Sequence, residues 1–378
     1  MTQSDVAVIG GGAVGLSVAW KAAAAGLSVT LLDERPGRGA SWAAAGMLAP
    51  VTEVHPGEEA LLELNLESSR RWPRFAAELS AASGNEAGYR QCGTMLVSRN
   101  ADDNAVLDEL WLFQTQLGLT TERLTRRTMR SLEPRLAAGV RGGILVPGDH
   151  QVDNRALLGA LVRACRNAGV RLVRSPARAI QVTGDRAGAV ETGAGEKVGA
   201  GVIVLAAGCW SAAVEGIPPQ AVPPVRPVKG QLLHLRSSDG RPPSERNIRG
   251  SDVYMVGRPD GRVVVGATVE EQGFDETVRA GAVYELLRAA YELVPGVVDL
   301  ELTEVAVGFR PASPDNAPLI GPSTVDSLLV ATGHYRNGVL LAPVTAEAVV
   351  EMIVSGRVPD GMARFSPTRF EAAGIESS

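Results

Sequence analysis

Three glycines at the spacing Gly10-x-Gly12-x-x-Gly15, with Asp33 placed 23 residues after Gly10, are the residues most able to do chemistry in the first part of this chain. Glycines so spaced let a backbone turn sharply, approach a pyrophosphate, and let a following helix pack close to the preceding strand. A carboxylate at that distance can accept hydrogen bonds from a ribose diol. The chemistry implied is the holding of an adenine dinucleotide. A second group lies near the end of the sequence. There Gly333-His334-Tyr335-Arg336-Asn337-Gly338 combines a glycine-flanked turn with an Arg, a His and a Tyr. Such a turn, opening a helix, aims free backbone N–H groups at one point.

The elements around the first motif suit that task. Val6–Ile9 is a short apolar run of the kind that forms a strand buried on both faces. Leu16–Ala25 is an alanine-rich helix stopped by Gly26, and Leu27–Leu32 is a second strand ending at Asp33. Together they make one βαβ unit of Rossmann type, which does not by itself choose between NAD and FAD. Ser41 can cap a short helix, and the small residues Ala43–Gly46 suit a backbone lying flat against a large planar ligand.

Further along, helices are expected over Leu61–Leu79, Asp103–Leu117, Met129–Pro134 and Asn154–Ala168, and strands over Gly93–Val97 and Gly143–Pro147. Val170–Val173, Ala177–Val182 and the buried run Val202–Ala206 add strands to the opening unit. Pro218–Pro227 marks a crossing between domains. Lys229–Thr268 reads as an antiparallel sheet, Thr277–Leu293 as a helix, and Leu302–Phe309 and Leu328–Ala331 as strands. The last expected helix runs from Val339 to Ile353.

The chain has 378 residues, 45% of them hydrophobic, and a net charge of −5, so neither an unusual core nor bulk attraction to nucleic acid is indicated. Cys92, Cys165 and Cys209 lack metal-ligand spacing, and their odd number argues against a disulfide framework. With four His and no paired-carboxylate motif, zinc or hydrolytic chemistry has little support. The first strand starts too early to leave room for a transit segment, and no apolar run approaches the roughly 18–20 residues of a membrane span. The expectation is a cytoplasmic protein.

IGGGAVG, SWAAAGML, PVRPVKGQ, VYMVGR, VVVGAT, VGFRPASPDNAPLIG and TGHYRNGVLLAP follow in that order and carry a resemblance that extends over almost the whole chain. They resemble the flavin-dependent amine oxidases of the D-amino-acid oxidase type, and most of all the glycine oxidases of thiamine biosynthesis. The resemblance implies a Rossmann-like FAD-binding domain beside an α+β substrate domain with a mostly antiparallel sheet. The first would comprise residues 1–80, 148–217 and 306–378, and the second 81–147 and 218–305.

It also implies non-covalent FAD, since relatives with covalent flavin carry a cysteine near the place of Arg310. Ala13 and Val14 would meet the pyrophosphate, beside Gly10, Gly12 and Gly15. Asp33 and Glu34 would hold the ribose. Ala40, Ser41, Ala45, Gly46 and Met47 would line the flavin, and Ala177 would contact adenine. His334, Tyr335, Arg336, Asn337, Gly338, Val339 and Leu340 would lie against the isoalloxazine, where a helix N-terminus stabilises negative charge on the reduced ring. Arg310 would grip the substrate carboxylate with two hydrogen bonds, Tyr254 would donate a third, and Arg336 would help close the site.

The implied reaction takes a hydride from the α-carbon of glycine, sarcosine or a small D-amino acid, leaves an imine for hydrolysis, and reduces O₂ to H₂O₂. Expected partners are that substrate and O₂, with no nucleic acid and no membrane, in a homo-oligomer. Trp42 and Asp252 depart from the family pattern and bear on pocket shape. The alternatives for Arg310 and Tyr254 are an ion pair to a loop acid and simple packing. Alternatives for the whole are a dehydrogenase serving a quinone or protein acceptor, a flavin-binding subunit without catalysis, and an NAD-dependent enzyme.

Overall fold

The computed structural model describes residues 2–373, and they form two large sheets joined by a small one. At the centre of the first sheet, Thr2–Ile9 runs parallel to both Lys197–Leu205 and Val29–Leu32. Val6, Ala7, Val8 and Ile9 are all buried, as a strand covered on both faces requires. Arg171–Val173 extends the sheet beside Val29–Leu32. On its other side Lys197–Leu205 has a divided edge. Residues 197–199 pair antiparallel with Arg186–Thr192, whereas residues 203–205 pair parallel with Leu328–Thr332. Strands from the first, middle and last thirds of the chain thus share one sheet.

Helices cover this sheet because small residues let them approach. Ala13–Ala24 packs against Asn154–Asn167 and Ala342–Ser355. A methyl group on Gly15 would overlap the carbonyl oxygen of Gly10, so only glycine permits this spacing of helix and strand. Glu59–Ser83 lies over Asn154–Asn167 and Ala342–Ser355 and seats Trp72 and Phe75 in the same core.

The second sheet runs Glu301–Ala312, Arg226–Arg236, Arg262–Gly266, Tyr254–Gly257, Asn247–Arg249, Thr94–Ser98, Gly142–Val146 and Glu122–Thr125. Every pairing is antiparallel except that of Asn247–Arg249 with Thr94–Ser98. Ala280–Leu293 packs its apolar face on it through Leu286, Ala289, Ala290 and Leu293. The short strands Met47–Leu48, His150–Val152 and Tyr89–Arg90 form the small sheet between the two. No described helix is long and apolar enough to cross a membrane.

Two expectations need correction. A boundary at residue 306 falls inside Glu301–Ala312, which pairs with Arg226–Arg236 to its last residue and so belongs whole to the second sheet. The last α-helix begins at Ala342, not Val339, after a 3₁₀ turn at Tyr335–Asn337. Pro343 explains the start: with no N–H to donate, it fits the first turn of a helix and not its interior.

Candidate active site

One cavity of about 710 Å³ runs between the two large sheets. The Gly10–Gly15 turn opens it. Gly10 has φ +104, a conformation that favours glycine. The turn is braced by side chains from elsewhere. Asp33 accepts hydrogen bonds from Gly11 N–H (2.6 Å) and Arg35 N–H (2.7 Å), and Ser41 Oγ accepts one from Ala13 N–H (3.0 Å). The N–H groups of Gly12 and Val14, which line the cavity, have no acceptor among the described residues. Opposite in the chain, the N–H groups of Gly338 and Val339 line the same cavity and also have no acceptor among the described residues. Two separate sets of unpaired donors therefore face one space, and each suits an anionic or carbonyl group of a long ligand. That donor pattern fits FAD, whose pyrophosphate and pyrimidine edge need such partners.

Of the residues expected at the cofactor, Gly10, Gly12, Ala13, Val14, Asp33, Glu34, Ala40, Ser41, Ala45, Gly46, Met47, Ala177, His334, Tyr335, Arg336, Gly338 and Val339 all line the cavity. Gly15, Asn337 and Leu340 do not. Gly15 sits beneath the turn. Asn337 is buried with its carbonyl accepting from Leu341 N–H, and the Leu340 carbonyl accepts from Ser68 Oγ (2.6 Å) and Trp72 Nε1 (2.9 Å). His334 is buried with Nε2 3.0 Å from Thr345 Oγ1, and burial pushes its pKa down to about 3, so the ring is neutral. Trp42 stays off the cavity lining. Its ring lies between Arg38 (3.7 Å) and Arg155 (4.5 Å), held by cation–π attraction. Asp252 lines the cavity and pairs with Arg99 (3.1 Å).

On the second sheet, Arg310 and Tyr254 reach the same space. Arg310 donates through Nη1 to the carbonyls of Thr268 (3.0 Å) and Lys229 (3.4 Å) and meets no carboxylate among the described residues. The loop-acid alternative for Arg310 is thereby excluded among the described residues. The guanidinium lies directly over Gly230, where a Cβ would stand 2.6 Å from Nη1 and 2.7 Å from Nη2. Tyr254 likewise lies across Gly266, where a Cβ would be 2.5 Å from the phenol oxygen. Burial holds the Tyr254 phenol above its usual range, which keeps it a donor.

Arg336 is placed differently from expectation. Its Nη2 donates to Glu58 Oε2 (2.6 Å), and its Nε lies 3.6 Å from Glu53 Oε2. Glu53 in turn accepts from Arg249 Nη1 (2.7 Å). These four side chains balance in charge, and Arg336, which also lines the cavity, is tied through Nη2 to the Glu58 carboxylate.

Gly230, Gly266, Arg249 and Glu53 were not anticipated. Arg258 was missed as well: it is buried and donates through Nη2 to the Ala45 carbonyl (2.6 Å), bracing the Ala45–Gly46 backbone against the cavity. All but Glu53 stand in or beside the motifs PVRPVKGQ, VYMVGR and VVVGAT. The available signal was a glycine at a strand position where a side chain of the neighbouring strand must lie flat.

A dinucleotide turn, a second pair of unpaired backbone donors and the Arg310 guanidinium share one cavity, an arrangement that fits a FAD-dependent oxidoreductase. The FAD dependent oxidoreductase (DAO) family matches residues 5–352, and the chain belongs to it. It is 38% identical over 98% of its length to the bifunctional protein ThiO/ThiG of Synechocystis sp., of which it covers 54%. It is 32% identical to the glycine oxidase of Geobacillus kaustophilus, covering 97% of each chain. The crystal structure of glycine oxidase from Geobacillus kaustophilus superposes with a TM-score of 0.91, at 31% identity, over 98% of this chain and 99% of that one. The chain spans about half the length of the bifunctional relatives it matches.

Proposed function

We propose that this protein oxidises glycine, and with it sarcosine and small D-amino acids such as D-alanine, to the imine and then the 2-oxo acid. We assign the first sheet to FAD and the second to the substrate. The observation that carries the reading is the unpaired Arg310 guanidinium, laid over Gly230 in the cavity that the dinucleotide turn opens. The relatives named glycine oxidase support the substrate, and those named ThiO/ThiG support a place in thiamine biosynthesis, where the glycine imine would be used.

FAD, when bound, supplies the two-electron acceptor for the substrate α-C–H and returns the electrons to O₂ as H₂O₂. Arg310 binds the carboxylate with the N–H groups it does not spend on Thr268 and Lys229. The Tyr254 hydroxyl donates to the same carboxylate. Fixing both carboxylate oxygens orients the α-carbon, and orientation is the main contribution the chain must make. His334 is neutral and hydrogen-bonded to Thr345, so it places no fixed positive charge near a substrate amine that must itself be neutral. Water hydrolyses the imine without help from an acid–base pair.

The test is a peroxide assay with glycine, sarcosine and D-alanine on the wild type and Arg310→Ala. A buried charge left without its partner costs about 3–5 kcal/mol, so kcat/KM should fall by roughly two to four powers of ten while flavin absorbance persists. Unchanged kcat/KM for glycine in Arg310→Ala would make the arginine structural and remove the amino-acid reading.

A further inference from the structure

Behind Arg310, on the opposite face of the neighbouring strand Arg226–Arg236, lies a buried polar assembly. Neighbouring residues of a strand point to opposite faces, so Gly230 carries the Arg310 guanidinium while Lys229 and Gln231 face away from it. Lys229 is fully buried, an uncommon place for a lysine. Its Nζ donates to the Thr277 carbonyl (2.7 Å) and lies 3.5 Å from Asp275 and 3.6 Å from Glu270.

All three partners belong to residues 267–279, an irregular strap between the Arg262–Gly266 strand and the Ala280–Leu293 helix. The strap is bound at further points. Gln231 donates to Glu270 (2.7 Å) and accepts from Arg279 N–H (3.0 Å). Thr268 Oγ1 donates to the same Glu270 (2.6 Å) and accepts from Gln231 N–H (2.8 Å). Phe274 seats on Trp210 and Phe309, with ring centroids 5.6 and 5.4 Å away. The Thr268 carbonyl is the shorter of the two contacts that fix Arg310. Val269, Trp210 and Phe309 line the cavity.

We propose that Lys229 is a positioning residue for the substrate: by anchoring the strap it holds the Thr268 carbonyl, and through it the Arg310 guanidinium, in place. The inference rests on the reading of Arg310 as the carboxylate grip. Lys229 touches neither substrate nor cofactor. Its charge is confined beneath the strand, where Glu270 and Asp275 answer it from the strap alone. Without it, those two carboxylates lose the cation that draws the strap down, and Thr268 is held only by Gln231, Glu270 and the backbone bridge of residues 229 and 270, which loosens its carbonyl.

Acetate is the probe, titrated into the FAD-bound protein by the change it makes in the flavin spectrum, alongside kcat and KM for glycine. Lys229→Met should weaken acetate binding and raise KM about tenfold or more, with kcat within about threefold and flavin content unchanged. A merely structural lysine would lower melting temperature and flavin content and leave KM of the folded protein as it was, which would overturn the proposal. Glu270→Gln with Asp275→Asn keeps the lysine and removes its partners. This variant should weaken acetate at least threefold, and normal acetate affinity in it would overturn the proposal even if Lys229→Met fails to fold. Arg310→Ala separates the two readings. Loss of acetate binding there, with none in the Lys229 and strap variants, removes Lys229 alone. Normal acetate binding in Arg310→Ala removes the carboxylate grip and this inference with it.

Discussion

Gly230→Ala is a one-methyl change that should damage the substrate site and spare the rest. A Cβ at this position would stand 2.6 Å from Nη1, 2.7 Å from Nη2 and 2.8 Å from Cζ of Arg310, where ordinary contact begins at 3.4 Å. The guanidinium must therefore move by about 0.8 Å, the difference between 3.4 and 2.6 Å. It is the far end of a flexible side chain, so it can move without disturbing the sheet. Gly230 also has no left-handed φ, so alanine is free of backbone strain there. Alanine even removes some unfolded-state freedom, worth about 0.4–1 kcal/mol of stability. Substrate placement has no such tolerance, because a misplacement of about 1 Å can cost around a hundredfold in rate. The expected result is kcat/KM for glycine down roughly 10- to 100-fold, most of it in KM. Melting temperature and flavin content should match the wild type. Peroxide formation gives the rates and a thermal melt the stability. A variant with kcat/KM within about threefold of the wild type would show that Arg310 does not set the substrate's position.

Asp33→Ala should yield partly flavin-free protein after dialysis, because Gly11 and Arg35 lose a charged acceptor worth roughly 1.5–3 kcal/mol and the turn loosens. Full occupancy would count against this. Acid stability should depend on His334: burial brings its folded pKa down to about 3, below the 6.5 usual for histidine, so between these values the unfolded chain binds the extra proton. Its stabilising contribution is therefore complete above pH 6.5 and lost as pH falls toward 3. Melting temperature should drop more steeply between pH 7 and 4 in the wild type than in His334→Gln, and parallel curves would refute this.

The dinucleotide turn was legible because everything it needs is local. The glycines, the strand, the helix and Asp33 lie within the first 33 residues, and Gly10 and Gly15 answer steric demands of the surrounding backbone. The substrate side was legible only through motif likeness. Arg310 and Gly230 meet through a strand pairing between residues 80 apart, and no periodicity announces that register. Arg336 reads as a substrate-side charge at a glycine turn, but its partners Glu53 and Glu58 lie about 280 positions earlier. The Glu301–Ala312 strand escaped full recognition because its burial recurs at every third residue toward its end, where a half-buried strand alternates in twos.

The divided edge of Lys197–Leu205 also governs how the molecule comes to exist. Its residues 203–205 remain without Leu328–Thr332 until that strand, more than a hundred residues later, has been synthesised. The donors at Gly338 and Val339 arrive later still. Until then Lys197–Leu205 exposes part of a raw parallel edge, the kind of long-range pairing that folds slowly and invites aggregation. The cavity's two donor sets, at Gly12 and Val14 and at Gly338 and Val339, are thus complete only late in synthesis. Strong overexpression should leave insoluble, colourless protein unless translation is slowed or FAD is plentiful.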